Sequence, residues 1–193
     1  MEKSYRPNLH LALMHYPVMN KNGDVIASAV TNLDLHDISR AAKTYGVRSF
    51  YVVTPLADQK SLIEKIVSHW VSGAGAKYNP IRREALELIR IKDSLAKVTD
   101  HIRSQGEGTP KTVVTCARDY DRSISYSSFQ DMLKNRSSYL LIFGTAWGLS
   151  ENFISKADYI LEPIKGNTDY NHLSVRSAAS IILDRLLKLD VRC

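Results

Sequence analysis

The chain has 193 residues, 44% hydrophobic and 24% charged; that is ordinary globular composition, long enough for a core, and it excludes a disordered or fibrous chain. Its 26 Lys and Arg against 20 Asp and Glu leave a net charge of +6, which favours a polyanionic partner but equally suits a solvated basic surface. Cys116 and Cys193 form no CxxC pair, the opening MEKSYRPN is no apolar leader, and no apolar run is long enough to span a membrane; a soluble cytoplasmic protein without disulfide, metal or membrane anchor is expected.

Leu9 to Tyr16 (LHLALMHY) alternates apolar with small or polar residues and is stopped by Pro17, so it reads as a strand. NKNGD is a turn signal, followed by the apolar and small segment Val25 to Val30. Asp34 can cap a helix running to Tyr45 with Gly46 as its stop, and Leu35, Ile38, Ala41, Ala42 and Tyr45 form its apolar stripe. Arg48 to Thr54 is β-branched and aromatic, hence a strand. Asp58 to Val71 predicts a helix with Leu62, Ile63, Ile66, Val67 and Trp70 inward, and SGAGAKYNP a flexible loop. Asn79 and Pro80 open the next helix as cap and first residue. Leu88 to Ile91 is read as a short strand, with Asp93 capping a helix to about Ser104. Lys111 to Cys116 is a strand with Cys116 packed in it, Ala117 to Ser125 a polar loop, and Ser127 or Ser128 the start of a helix to about Lys134. With no internal repeat and no linker, residues 1–193 read as one domain.

The remaining stretch, Tyr139 to Leu189, carries the chemistry. Tyr139 to Phe143 is a buried strand closed by Gly144. Gly144 and Gly148 flank Thr145, Ala146 and Trp147, and Ser150 with Glu151 starts a helix. Ala157 to Leu161 is a second strand stopped by Pro163, and from Ser174 a helical stripe runs through Val175, Ala178, Ala179, Ile182, Leu186 and Leu189. Strands alternating with helices predict an α/β fold, a mostly parallel sheet with helices on both faces. Ligands of such sheets sit beyond the carboxyl ends of the strands, where Thr115 to Arg118, Gly144 to Leu149 and Glu162 to Leu173 would meet. GTAWGLSE lacks the Lys-Ser or Lys-Thr of a phosphate loop, and neither it nor GAGAKY has the place and spacing of a dinucleotide fingerprint.

GTAWGL, then YILEPIKG, then DYNHLSVRSAASIILDRLL resemble the C-terminal half of the SPOUT class of RNA methyltransferases, and within it the family found alone or fused to a tRNA guanine-N1 methyltransferase. The resemblance implies a C-terminal deep trefoil knot, where physical priors alone would draw an open sheet. It implies S-adenosyl-L-methionine as cofactor, RNA and most simply tRNA as substrate, and a homodimer with its site at the two-fold interface. The cofactor loops would be the same three. Bare main chain at Gly144 and Gly148 can read an adenine edge, Leu149, Leu161, Pro163 and Ile164 can form apolar walls, and Thr115, Asn171, His172, Leu173 and Ser174 complete the set. Trp147 is open between packing and stacking.

TNLDLHDISRAAKTYGV resembles the first motif of the class, an Asn before a helix carrying an Arg, which maps onto Asn32 and Arg40. By that resemblance Arg40 acts on a ribose 2′-hydroxyl, favoured over a base nitrogen as acceptor, and its high pKa suits stabilising negative charge. Residue by residue, Arg40 could instead pair with Asp37 on the surface, and His36 is a candidate base or a solvated side chain. His10, His15, His69 and His101 show no ligand spacing, and Arg82, Arg83, Arg90 and Lys92, interrupted by Glu84 and Glu87, read as a solvated face. The rival expectation is a non-catalytic RNA- or nucleotide-binding protein that keeps the fold.

Overall fold

The computed structural model describes residues 6–188, so the expected end of the last helix at Leu189 and the terminal Cys193 lie outside the described residues. Seven strands form one sheet in the order β5-β4-β1-β8-β6-β9-β7. They are β1 (Leu9–Met14), β4 (Ser49–Val53), β5 (Ile89–Lys92), β6 (Lys111–Thr115), β7 (Ser123–Ile124), β8 (Tyr139–Gly144) and β9 (Tyr159–Leu161). Every pairing in this sheet is parallel, which is why its central strands read as continuous apolar runs: β1 is buried throughout, and Tyr139 to Phe143 of β8 likewise. A small antiparallel hairpin, β2 (Val18–Met19) with β3 (Val25–Ile26), stands apart.

Side chains along β1 alternate between two cores. Leu9, Leu11 and Leu13 join α1 (Asn32–Thr44), α6 (Tyr126–Leu133) and α8 (Val175–Leu187) through Leu35, Ile38, Phe129, Ala179, Ile182 and Leu183. Ala12 and Met14 face α5 (Leu95–Ser104) and α7 (Glu151–Ser155) through Val98, Ile102 and Ile154. Each such fully buried Leu or Ile contributes about 1.5–3 kcal/mol of transfer free energy. Helices therefore cover both faces, as the strand–helix alternation predicts.

Local chemistry fixes the element starts. Ser94, Ser125, Ser150 and Ser174 cap α5, α6, α7 and α8 through their hydroxyls. Asn79 caps α4 (Pro80–Leu86), with Pro80 in the first turn. Several expectations need correction. The cap of α1 is Thr31, whose Oγ1 accepts the Asp34 amide at 3.1 Å; Asp34 itself is inside the helix. Ser94 and Ser125 cap where Asp93 and Ser127 or Ser128 were expected. In α2 (Ala57–Val71) Ile63 is buried and Ile66, Val67 and Trp70 pack half-buried against the core as expected, but Leu62 is 41% exposed. SGAGAKYNP is not a loop but contains α3 (Ala74–Tyr78): a Cβ on Gly75 would come within 2.7 Å of the Trp70 ring, so the glycine is there for contact rather than flexibility. Among the described residues, no helix is long and apolar enough to cross a membrane.

Candidate active site

A cavity of about 1020 Å³ opens beyond the carboxyl ends of β6, β8 and β9, the place where parallel sheets hold ligands. Its walls come from Thr115 to Arg118 after β6, Phe143 to Glu151 around the end of β8, Glu162 to Ile164 after β9, and Asn171 to Arg176 leading into α8; the β2–β3 hairpin and the start of α1 close the rest. The loop after β8 is tied by main chain to the hairpin. Trp147 N–H donates to Met19 C=O at 3.1 Å, and Met19 N–H to Gly148 C=O at 2.9 Å. Asn171 Nδ2 donates to Ala117 C=O at 2.9 Å, pinning the loop before α8 to the loop after β6.

Thr115, Gly144, Gly148, Leu149, Pro163, Ile164, Asn171, His172, Leu173 and Ser174 all line this cavity. Leu161 does not: it is fully buried in the sheet, paired with Thr115 and Ile124, and belongs to the core. Thr115 Oγ1 is spent on Ile142 C=O at 3.1 Å, while Cys116 lies just past β6 rather than within it, packed half-buried against the second core as expected and also on the cavity wall. A Cβ at Gly144 would stand 3.0 Å from both Leu149 Cγ and Leu149 N, so only glycine lets the loop fold back this closely. Gly148 has φ +93 with open space around it, and the Leu149 amide has no hydrogen-bond partner among the described residues. An apolar-walled cleft with bare, partly unspent main chain fits a flat nucleoside such as that of S-adenosylmethionine.

The three candidate catalytic residues lie elsewhere. Asn32 is the exposed first residue of α1, and it is absent from the cavity lining. His36 packs edge-on to Trp70, ring centroids 5.4 Å apart, with its Nε2 unpartnered. Burial, and then the nearby Arg82, hold its pKa below the usual histidine value, and it reaches neither the cavity nor the groove described next. Arg40 lines a separate, shallower groove of about 530 Å³ between α1 and α8, with Asp37, Tyr45, Arg176 and Ser180. Asp37 is taken by Arg176, whose Nε is 3.6 Å from it. Arg40 has no ion-pair partner among the described residues.

What does reach the cavity from α1 is Asp34, 6% exposed. Thr31 Oγ1 donates to its Oδ2 at 2.7 Å, and an Arg176 guanidinium nitrogen stands 3.4 Å from its Oδ1. Arg176 thus borders both the cavity and the groove. The signal for both residues was available: Asp34 sits one turn before buried Ile38 and Arg176 one turn before buried Ala179, each a charge set into an apolar stripe.

A hydroxyl chain completes this wall. Thr145 O–H donates to Met14 C=O at 2.9 Å, so the 2.5 Å contact with Ser28 runs from Ser28 O–H to Thr145 Oγ1. His15 Nδ1–H then donates to Ser28 Oγ at 2.9 Å. His15 is fully buried with Nε2 unpartnered, and desolvation pushes its pKa down to about 4 against the opposing pull of Asp34, which keeps it neutral at physiological pH. Ser28 and Thr145 line the cavity, and with their protons committed they have only lone pairs left. Together with the Asp34 carboxylate they form a wall suited to hydrogen-bond donors.

The sequence matches the model of a family described as SAM-dependent RNA methyltransferase over residues 8–188. An uncharacterized protein of Aquifex aeolicus is 40% identical over 96% of this chain and 91% of its own. A tRNA (guanine-N(1)-)-methyltransferase of Nitratidesulfovibrio vulgaris is 44% identical over 93% of this chain, which spans only 42% of that longer protein. Among solved structures, a TrmH/SpoU tRNA modifying enzyme of A. aeolicus superposes with a TM-score of 0.56 at 17% identity, over 94% of this chain and 74% of that one; at that identity the likeness is one of fold.

Proposed function

The chain belongs to the SAM-dependent RNA methyltransferase family, and from that premise we propose that the large cavity holds S-adenosylmethionine and that the methyl group passes to a nucleotide of tRNA, the ribose 2′-oxygen being favoured over a base nitrogen. The observation that carries this is the meeting of three loops at the carboxyl ends of β6, β8 and β9 around bare main chain and apolar walls. S-adenosylmethionine supplies an electrophilic methyl on a sulfonium; the protein's share is to hold it, aim the nucleophile and handle a proton. The main chain of Gly144 to Leu149 would read the adenine edge, with Leu149, Pro163 and Ile164 as walls. Asn171, His172 and Ser174 would take the ribose, and the Asp34–Arg176 pair would face the zwitterionic amino-acid tail with matching charges.

Arg40 stands outside the cavity of its own chain, in the α1–α8 groove. This fits a homodimer in which a second copy docks on that groove and Arg40 serves the neighbouring cavity, stabilising charge on a 2′-oxygen rather than removing its proton. A single domain with α8 threaded as a trefoil knot is part of the same proposal. One observation favours the second reading, a base nitrogen: Asp34 and the lone pairs of Ser28 and Thr145 suit an N–H donor, in keeping with the guanine-N1 activity in the name of the N. vulgaris relative. Incubation with bulk tRNA and S-adenosylmethionine tritiated in the methyl, followed by nucleoside mass spectrometry, separates the two. A methyl retained on the ribose fragment supports the 2′-oxygen, one on the base supports the nitrogen, and no label with cofactor binding intact supports a non-catalytic protein.

A further inference from the structure

The loop between β8 and α7 holds an indole out in water at the lip of the cavity. Trp147 is 70% exposed and lines the opening. A lone exposed apolar side chain is unremarkable on a protein surface, but this one stands on a locked base. The main-chain N–H of Trp147 and the carbonyl of Gly148 are both bonded to the main chain of Met19, and Gly148 N–H closes a turn on Thr145 C=O at 2.9 Å. Ala146 is held at φ 51, a left-handed conformation that a residue with a Cβ adopts only under strain. The main chain is thus constrained to present the ring instead of folding it inward, where Leu149 is 4% exposed two residues on.

The surroundings select the occupant. Lys21, on the hairpin turn that borders the same cavity, is exposed and has no ion-pair partner among the described residues. On the segment leading into α8, Tyr170 is 74% exposed and packs edge-on to the cavity-lining His172, ring centroids 5.3 Å apart. Exposed aromatic faces and a free cation around the mouth of one cavity, on a chain of net charge +6, are the elements with which proteins hold unpaired nucleotides by stacking and phosphate contact.

We propose that Trp147 is a stacking platform for an unpaired base of the RNA substrate next to the nucleotide being methylated, with Lys21 on the flanking phosphate. This rests on the reading of the cavity as the methyl-donor site. Trp147→Ala and Trp147→Phe are compared with the unaltered protein for tRNA affinity, using bulk tRNA, and for S-adenosylmethionine affinity by calorimetry. Loss of one base stack predicts tRNA binding weaker by about 5- to 140-fold in Trp147→Ala, largely regained in Trp147→Phe, with cofactor affinity within about 2-fold of the original. With Trp70→Phe leaving Trp147 as the remaining indole, tRNA is expected to quench its fluorescence. Unchanged tRNA affinity in Trp147→Ala overturns the proposal while tRNA labelling by the unaltered protein keeps the cavity reading intact. A cofactor affinity that falls with Trp147→Ala overturns it in favour of an indole covering the donor, and failure of the unaltered protein to bind tRNA sinks both.

Discussion

Placing a methyl group on Gly144 tests the cavity wall at its tightest point. In Gly144→Ala the new Cβ meets Leu149 Cγ and Leu149 N at 3.0 Å and Gly148 C at 3.1 Å. The Leu149 side chain can rotate away from the first contact, but the other two are main chain, and restoring ordinary contact at 3.4 Å requires the Gly148–Leu149 peptide to shift by a few tenths of an ångström. Overpacking of this kind costs about 1–3 kcal/mol. The displaced atoms belong to the cavity wall, so most of the cost is expected on the ligand: calorimetry should show S-adenosylmethionine binding weaker by about 5- to 140-fold, while Tm falls by no more than about 2–4 °C for each kcal/mol that reaches global stability. Gly148→Ala is the matched control. It meets nothing within 4 Å, and its cost is the left-handed φ alone, about 1–2 kcal/mol. Cofactor binding by Gly144→Ala equal to that of the unaltered protein, with the fold intact, would refute the main-chain cradle.

Three further predictions follow from named contacts. His15 is neutral and buried with its pKa near 4 against 6.5 when free, so the unfolded chain alone takes up its proton as pH falls below about 6.5; stability is unaffected above that pH and drops by about 3 kcal/mol in all between pH 6.5 and 4. Urea titrations should show that slope reduced in His15→Asn, which keeps a donor toward Ser28, and a parallel pH dependence in both would contradict it. Asp34→Ala leaves Arg176 facing the cavity with only the more exposed Asp37, so turnover should fall by 10-fold or more with Tm changed by a few degrees; wild-type turnover removes Asp34 from the site. If Arg40 serves the neighbouring subunit, mixing Arg40→Ala with Gly144→Ala protomers should restore about a quarter of the activity by random exchange, whereas no recovery above the two single variants places Arg40 elsewhere.

Much of the architecture was legible because parallel-sheet burial writes itself as apolar runs: LHLALMHY, SFYVV and YLLIF each became a strand. Serine and asparagine caps were equally plain where one candidate stood alone, as at Ser150 and Asn79. Where two polar residues lay close together, side-chain chemistry could not choose between them, and Thr31 displaced Asp34 as the cap of α1. Reading Asp34 as the cap hid the acidic residue of the cavity wall, and Asn32, which the resemblance to the class's first motif supplied instead, faces solvent at the start of α1. GAGAKY misled because glycine's low helix propensity was outweighed by a contact with Trp70 that only tertiary structure creates. Leu161 misled because a residue at the end of a strand can point either into the cleft or into the core, and its pairing with Thr115 and Ile124 decided for the core. Trp147 was undecidable in sequence, since an indole between two glycines can turn in or out; the Met19 clamp turns it out.

The most direct test of the central claim is a crystal structure of the protein grown with S-adenosylmethionine. The adenosine is predicted to lie against the main chain of Gly144 to Leu149 and between Leu149, Pro163 and Ile164, with its amino-acid tail toward Asp34 and Arg176. Ligand density at any other position, or a cavity filled by Trp147 or His172 with the ligand excluded, would contradict it.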